Sequence, residues 1–298
     1  MRRWIRTALG ALAVLVVACG GDDDGGGPTQ FGLATNGALV VSVGAGGSVY
    51  TSTTGGGWTG QGSSVGGDLR AVAFGAGSFV AVGNGGAILH SENGSRWRRA
   101  DSPTENRLRG VAYGDGRFVA AGEGGVLLVS SDGIAWSTAD SGTGDDLIAV
   151  TWAEGLYVVV GNGGAVLTSA DTVEWTFQQV EGVEADFLSV AHGGGRYLAV
   201  GTGGAAARSA DGRSWEDVSI RNVASVNAVY HSLGIFVLLG DGGTLYTSPD
   251  GVQFFPGNSG TGETFYALGF FGNAFVATGQ NGAFRQSFDG RSWFGGNF

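Results

Sequence analysis

A unit of about 39 residues recurs seven times along this chain, and few folds can accommodate such a repeat. Each copy has a glycine, a serine eight positions later and an aromatic residue fourteen positions later. Consecutive glycines are thirty-nine positions apart, with one interval of forty. Three residue types in constant phase indicate a repeat protein, and a period of about 40 residues is typical of propeller blades. The seven glycines are Gly44, Gly83, Gly122, Gly161, Gly201, Gly240 and Gly279.

Each copy contains four short segments with the character of β-strands. In the second copy these are residues 69–75, 78–83, 87–91 and a stretch around 96–100. The second segment is almost wholly apolar in every copy, as in FVAVG, YVVVG and FVLLG, which predicts a strand covered on both faces. No segment shows helical periodicity. The sequence therefore predicts an all-β fold, a seven-bladed β-propeller that fills residues 30–298.

The first strand of each copy has a small residue at its third position. Innermost strands crowd around the axis of a propeller, so small side chains are expected there. The phase of the repeat also predicts how the ring closes, because the first copy starts with its inner strand and the last copy ends with its outer strand. Blades one and seven should be joined by packing, without a shared strand. The small residues are Gly32, Ala71, Gly110, Ala149, Ser189, Ala228 and Ala267.

Residues 1–19 have the pattern of an export signal, with three arginines before a short apolar run. The run is too short to span a bilayer comfortably. Val-Val-Ala-Cys at 16–19 resembles the bacterial lipobox, and this resemblance implies that Cys19 is acylated and becomes the mature N-terminus. Residues 20–29 form a flexible acidic spacer rich in Gly and Asp. We expect a lipid-anchored protein of the cell envelope, at the outer membrane or cell surface in a Gram-negative bacterium.

The charge balance restricts the kinds of partner. The sequence has no lysine, and removal of the leader leaves 13 of its 16 arginines against 26 acidic residues, a formal charge of −13. Such an acidic surface argues against nucleic acid and against docking on anionic lipid. Membrane attachment should therefore come from the acyl chains alone. With one cysteine, the chain has no intramolecular disulfide.

A second motif, Ser-x-Asp-Gly-x-x-Trp, occurs at 130–136, 209–215 and 287–293, with degenerate copies in other repeats. Serine and aspartate side chains can bond backbone amides across a hairpin turn, and glycine adopts positive φ there. The motif resembles the Asp-box, or BNR repeat, of the sialidase-superfamily propellers. Together with Val-Gly-x-Gly-Gly it is also similar to propellers related to photosystem II stability and assembly factors. The resemblance implies a structural motif that points away from the ligand face, so its aspartates are not expected to be catalytic.

No complete catalytic set is visible in the sequence. A sialidase needs an Arg-Ile-Pro motif, an arginine triad and a tyrosine paired with a glutamate. The chain has no Arg-Ile-Pro, only Arg70 and Arg109 supply guanidinium groups at channel-lining positions, and Tyr266 lacks an adjacent glutamate. The Gly-Asn-Gly-Gly segments lack the context of phosphate-binding loops. We therefore expect no catalytic residue and no cofactor.

Two histidines, His192 and His231, occupy corresponding positions in neighbouring copies. A protein zinc site usually needs at least three protein ligands. Without a third ligand, the pair is better explained as half-buried structural residues, and we expect no metal site.

One position varies inside the otherwise fixed Val-Gly-x-Gly-Gly segment. In a propeller these turns lie on the same face as the connections between blades, which are also variable and acidic here. Variable polar loops on a rigid scaffold are typical of binding surfaces. The alternative is that any small polar residue suits an exposed turn. The variable residues are Ala45, Asn84, Glu123, Asn162, Thr202, Asp241 and Gln280.

Three functional hypotheses follow. The first is a non-enzymatic, lipid-anchored propeller that binds an extracytoplasmic protein through its loop-rich face. The second is a glycan-binding or glycan-cleaving propeller, although Glu123 and Asp241, the acids of the variable position, are three blades apart. The third is an assembly factor for a membrane complex, as the resemblance to photosystem-related propellers implies. The candidate binding residues are Asn84, Glu123, Asn162, Asp241, Arg70 and Arg109.

Overall fold

Short apolar runs separated by glycine-containing turns fold the chain into seven antiparallel sheets. The computed structural model describes residues 27–295, so residues 1–19, with Cys19, and most of the 20–29 spacer lie outside the described residues. Within the described range, six sheets have four strands and the seventh has three, always in sequential order. The prediction of a seven-bladed β-propeller is confirmed.

The strands of the first four blades have the following bounds. Blade one contains β1 (Gln30–Thr35), β2 (Val40–Gly44), β3 (Val49–Ser52) and β4 (Thr59–Gln61). Blade two contains β5 (Leu69–Gly75), β6 (Ser78–Gly83), β7 (Ile88–Ser91) and β8 (Arg98–Arg99). Blade three contains β9 (Leu108–Gly114), β10 (Arg117–Gly122), β11 (Leu127–Ser130) and β12 (Ser137–Ala139). Blade four contains β13 (Leu147–Ala153), β14 (Leu156–Gly161), β15 (Ala165–Ser169) and β16 (Thr176–Gln179).

The last three blades repeat this arrangement. Blade five contains β17 (Phe187–Gly193), β18 (Arg196–Gly201), β19 (Ala206–Ser209) and β20 (Trp215–Asp217). Blade six contains β21 (Val226–Ser232), β22 (Ile235–Gly240), β23 (Leu245–Ser248) and β24 (Phe255–Pro256). Blade seven contains β25 (Phe265–Phe271), β26 (Ala274–Gly279) and β27 (Phe284–Ser287).

The second and third strands of every blade are joined by a single 3₁₀ turn. The first amide of each turn donates to the carbonyl of the residue that precedes the inner strand of the same blade, as Asn84 does to Asp68 at 2.9 Å. The 3₁₀ turns therefore share one face with the connections between blades, as predicted, and we call it the turn face. The turns are Ala45–Gly47, Asn84–Gly86, Glu123–Gly125, Asn162–Gly164, Thr202–Gly204, Asp241–Gly243 and Gln280–Gly282.

The opposite face is formed by hairpins between the first and second strands, and we call it the hairpin face. In blade three Asp115 and Gly116 form the two-residue hairpin, with φ of 41° and 76°. Two consecutive residues with positive φ match the right-handed twist of the flanking strands. The Ser-x-Asp-Gly turns lie on this face too, because the third strand of each blade runs toward it.

The core lies between the blades. In β6, Phe79, Val80, Ala81 and Val82 are each fully buried, because neighbouring sheets cover both faces of the strand. The small residue of each inner strand lies against the next inner strand. A Cβ on Gly110 would be 2.8 Å from the carbonyl oxygen of Ile148 in blade four. The crowding predicted from the small residues is confirmed.

Blade seven closes the ring against blade one by packing. Strands β1 and β25 belong to separate sheets, and the Phe31 and Tyr266 rings meet between them at 5.5 Å. Phe294, near the end of the described residues, pairs within its own blade, where its amide donates to the Gln286 carbonyl at 3.0 Å. The predicted closure without a shared strand is confirmed.

Candidate binding site on the turn face

A β-bulge interrupts the inner strand of every blade at its second residue. The register with the second strand shifts between the first and third residues, so the second residue has no Cα partner. Bulges re-aim a side chain and are common next to functional sites. We call these seven residues the bulge ring. They are Phe31, Arg70, Arg109, Ile148, Leu188, Asn227 and Tyr266.

Side chains of the bulge ring contact one another across blade boundaries. The Arg70 guanidinium carbon lies 4.4 Å from the centroid of the Phe31 ring, which in turn packs on Tyr266. Phe31 and Tyr266 are 1% and 6% exposed, so aromatic rings fill this side of the channel mouth. A cation over an aromatic face is stabilised by the ring quadrupole.

The variable residues of the 3₁₀ turns form a second tier above the bulge ring, and we call them the turn ring. All seven are half-buried. Among the described residues, a side-chain hydrogen bond joins the two tiers in blades two, three and six. Arg70 Nε donates to Asn84 Oδ1 at 3.3 Å, Arg109 Nη2 to Glu123 Oε1 at 3.0 Å, and Asn227 Nδ2 to Asp241 Oδ1 at 2.8 Å.

Blades two and three concentrate positive charge at one side of the mouth. Glu123 Oε1 lies 3.0 Å from Arg107 Nη1 and 3.0 Å from Arg109 Nη2. Arg70 Nη2 lies 2.7 Å from Asp68 Oδ2. We call Arg70, Arg107 and Arg109 the arginine cluster. Its guanidinium groups pair with the carboxylates of Asp68 and Glu123, and the carboxylate of Asp146 lies next to Glu123, on the Gly124 amide at 2.9 Å.

The arginine cluster also has unused donors. The Nε atoms of Arg107 and Arg109 are buried and have no hydrogen-bond partner within residues 27–295. A buried donor without a partner costs about 1–3 kcal/mol, and most such groups are paired in native structures. The side chains of Arg107 and Arg109 are 37% and 17% exposed, so another molecule can reach their guanidinium groups, and a change of rotamer would bring the covered Nε donors to its acceptor. Carboxylates suit them best, because guanidinium groups bind carboxylates with paired, charge-assisted hydrogen bonds.

Arg107 interrupts a contact that recurs between other blades. The residue before an inner strand accepts a hydrogen bond from the middle amide of the preceding blade's 3₁₀ turn. Asp68, Asp146 and Asp186 Oδ1 accept from Gly46, Gly124 and Gly163 at 2.9 Å each. The aligned position at the boundary between blades two and three is Arg107. An arginine side chain has no hydrogen-bond acceptor, so this hydrogen bond between blades cannot form here. A positive charge stands where the other boundaries have an aspartate.

The structure brings together four of the six predicted binding residues. Arg70 with Asn84 and Arg109 with Glu123 form the positive side of the mouth. Asp241 lies in blade six, bonded to Asn227, and Asn162 makes no side-chain hydrogen bond within the described residues. Arg107 and Asp68 were not among the residues predicted from the sequence; Asp68 aligns with Asp146 and Asp186 at other blade boundaries, and Arg107 occupies the same position.

The Ser-x-Asp-Gly turns lie on the hairpin face, away from the mouth, as the resemblance implied. In blade five, Ser209 Oγ accepts from the Gly212 amide at 2.8 Å. Asp211 Oδ1 accepts from the amides of Arg213 and Ser214 at 2.8 Å and 2.7 Å. The same pattern recurs around Asp132, Asp171, Asp250 and Asp289. The aspartates of these turns are structural acceptors.

These bonds lower the pKa of Asp211 to about 2, mainly through the amides of Ser214 and Arg213. A lowered folded-state pKa adds stability that is present above the ordinary pKa of 3.8 and is lost as pH falls toward 2. Asp211→Asn should therefore reduce the fall in Tm between about pH 4 and pH 2, as measured by circular dichroism. Asp115→Asn, on another hairpin-face turn, is the control. An unchanged pH dependence in Asp211→Asn would contradict this role for the carboxylate.

The two histidines of corresponding position lie at the hairpin-face end of β17 and β21. His192 packs at a tilt against Tyr197, with centroids 4.5 Å apart, and His231 packs edge-on against Phe236 at 4.7 Å. Burial lowers the pKa of both imidazoles, and the proximity of His192 lowers that of His231 further. Within residues 27–295 no group of three or more His, Cys, Asp or Glu side chains is placed to hold a metal ion.

Comparisons with known proteins match the fold and give no sequence relative. No family model matches the chain, and no curated protein matches it. In the described part of the chain, no helix is long and apolar enough to cross a membrane.

Two of the similar solved structures are structures of YCF48. The structure of YCF48 bound to D1 peptide is 18% identical, with a TM-score of 0.71, and the match covers 90% of this chain and 98% of that one. YCF48 from Cyanidioschyzon merolae is 17% identical, with a TM-score of 0.69 and coverage of 93% and 98%.

A third structure is that of an enzyme. A catalytically inactive variant of virginiamycin B lyase from Staphylococcus aureus, with quinupristin, is 10% identical, with a TM-score of 0.79 and coverage of 92% and 98%. One of these neighbours is bound to a peptide and another belongs to a lyase, so the likeness extends to the architecture alone. The chain is a seven-bladed β-propeller whose fold is shared by YCF48 and by virginiamycin B lyase.

Proposed function

We propose that this chain is a lipid-anchored propeller of the cell envelope that binds an extracytoplasmic protein through its turn face, without catalysis. The observation that carries the proposal is the arginine cluster, with buried Nε donors of Arg107 and Arg109 that have no partner within the described residues. An acidic side chain or a C-terminal carboxylate of the partner would supply the acceptor.

The fold supports this proposal. A propeller that binds a peptide, YCF48 with D1 peptide, has the same architecture over 90% of this chain. The turn ring and the bulge ring place polar and aromatic side chains together at the channel mouth. Aromatic and arginine residues are the side chains that most often dominate the energetics of protein interfaces.

Glycan hydrolysis is the weaker alternative. Hydrolysis needs one carboxylic acid that can give up a proton and one carboxylate, at a fixed separation across the sugar. Glu123, in blade three, is bonded to Arg107 and Arg109. Asp241 is bonded to Asn227 in blade six. The two acids therefore lie three blades apart, and each is bonded to side chains of its own blade.

A crosslinking pull-down from intact cells tests the proposal, using the full chain and two quadruple variants. The first changes the turn-face residues Asn84, Arg107, Arg109 and Asn162 to alanine. The second changes Asn36, Arg213, Asn273 and Arg291, which have the same residue types and lie on exposed turns of the opposite face.

We expect one protein to be recovered with the unaltered chain and with the hairpin-face variant, and to be lost with the turn-face variant. Recovery with all three chains, or loss only with the hairpin-face variant, would contradict the assignment. Tm measurements on both variants confirm that each is folded.

A further inference from the structure

The chain enters the propeller on the turn face, close to the axis. Thr29 and Gln30 are 1% and 0% exposed. The Thr29 carbonyl accepts from the Ala45 amide at 2.8 Å, and Gln30 Nε2 donates to Ser48 Oγ at 2.8 Å. Since Gln30 begins the inner strand β1, the N-terminal segment leaves the fold beside the bulge ring.

The segment between the fold and the predicted lipid anchor is short. From Cys19 to Gly27 the chain has eight steps, which span at most about 28 Å when fully extended. Cys19 itself lies outside the described residues.

The propeller is larger than this reach. Four strands in a blade span about 14 Å from the inner to the outer strand, and a seven-residue inner strand is about 20 Å deep. A tether that ran from β1 over the rim to the hairpin face would therefore need about 34 Å before it met a bilayer. On the side of the channel next to β1, the buried Phe31 and Tyr266 rings occupy the path between the blades.

From this geometry we infer that the turn face is directed toward the membrane. The inference rests on the proposed acylation of Cys19. It specifies the partner of the turn face as the extracytoplasmic segment of a membrane-embedded protein, because the mouth lies within about 28 Å of the bilayer. Bare anionic lipid is a poor alternative, since the mature chain carries a formal charge of −13 and its spacer has three consecutive aspartates.

Energy transfer on vesicles tests the orientation. The acylated full chain is reconstituted in phosphatidylcholine vesicles that contain an acceptor-labelled headgroup lipid. Two variants place a donor dye on an introduced cysteine, Asp145→Cys in the turn-face connection that follows blade three and Asp115→Cys in the hairpin of blade three. Both positions are exposed aspartates, so the two variants lose the same charge. Mass spectrometry establishes whether Cys19 is acylated.

We expect several-fold more transfer from position 145 than from position 115. Lengthening the spacer by about twenty Gly and Ser residues, to an r.m.s. length of about 30 Å, should remove most of this difference. Equal transfer, or more transfer from position 115, in a vesicle-bound acylated chain would overturn the orientation and leave the lipid anchor standing. A chain without acyl groups on Cys19 would overturn both.

Discussion

Replacing Gly86 by alanine should destabilise the propeller by about 3–5 kcal/mol, a large effect for a single methyl group. Gly86 is the last residue of the 3₁₀ turn in blade two. A Cβ at this position would be 1.9 Å from the carbonyl oxygen of Thr104, which belongs to the connection into blade three. That carbonyl also accepts from Ser102 Oγ at 3.1 Å, so it is held in place.

The neighbouring Gly85 provides a matched control. Both glycines have positive φ, 63° at Gly85 and 66° at Gly86, but a Cβ on Gly85 would have no atom within 4 Å. Gly85→Ala should therefore lower the free energy of unfolding by only about 1–2 kcal/mol, the cost of placing an alanine in the left-handed conformation. Thermal unfolding of the two variants measures the difference. Equal losses of Tm would show that φ, and not the close approach of the connection, decides the effect.

Replacing Arg70 and Arg109 together by glutamine should weaken binding of the protein partner by at least about 30-fold, which is equivalent to about 2 kcal/mol. The reason is that truncating one partner of a buried interfacial charge pair costs about 2–5 kcal/mol. Glutamine retains much of the length of each side chain while removing the charge. The salt dependence of the affinity should also decrease, since two charges leave the interface. Titration calorimetry with the protein recovered from cells, at two salt concentrations, measures both effects.

The double variant is expected to fold, because Glu123 keeps Arg107 at 3.0 Å and Asp68 keeps the Gly46 amide at 2.9 Å. Arg98→Gln with Arg99→Gln is the control. These arginines are exposed on the outer strand β8 and carry the same total charge. An equal loss of affinity in this control would assign the effect to net charge, and no loss in the Arg70 and Arg109 variant would remove the arginine cluster from the site.

The sequence alone predicted the number of blades, the phase of the strands, the closure of the ring and the role of the Ser-x-Asp-Gly turns. These features depend on local signals. A serine and an aspartate bond amides two and three positions away, as around Asp211, and a continuous apolar run such as 78–83 requires cover on both faces. The serine recurs in all seven copies and the aspartate in five, which made the pattern unambiguous.

Only the tertiary structure decided which polar residues form a site. The bulge that turns Arg109 toward the mouth is a mismatch in pairing between two strands, and residue types do not reveal it. Glu123 follows β10 in the chain, yet it meets Arg107 and Arg109 at the start of β9. The aspartates that align with Arg107 accept hydrogen bonds from turns of the preceding blade. The role of Arg107 becomes visible only by comparison with these contacts. Local preferences fix each blade, whereas the site is made by contacts between blades, which no single copy contains.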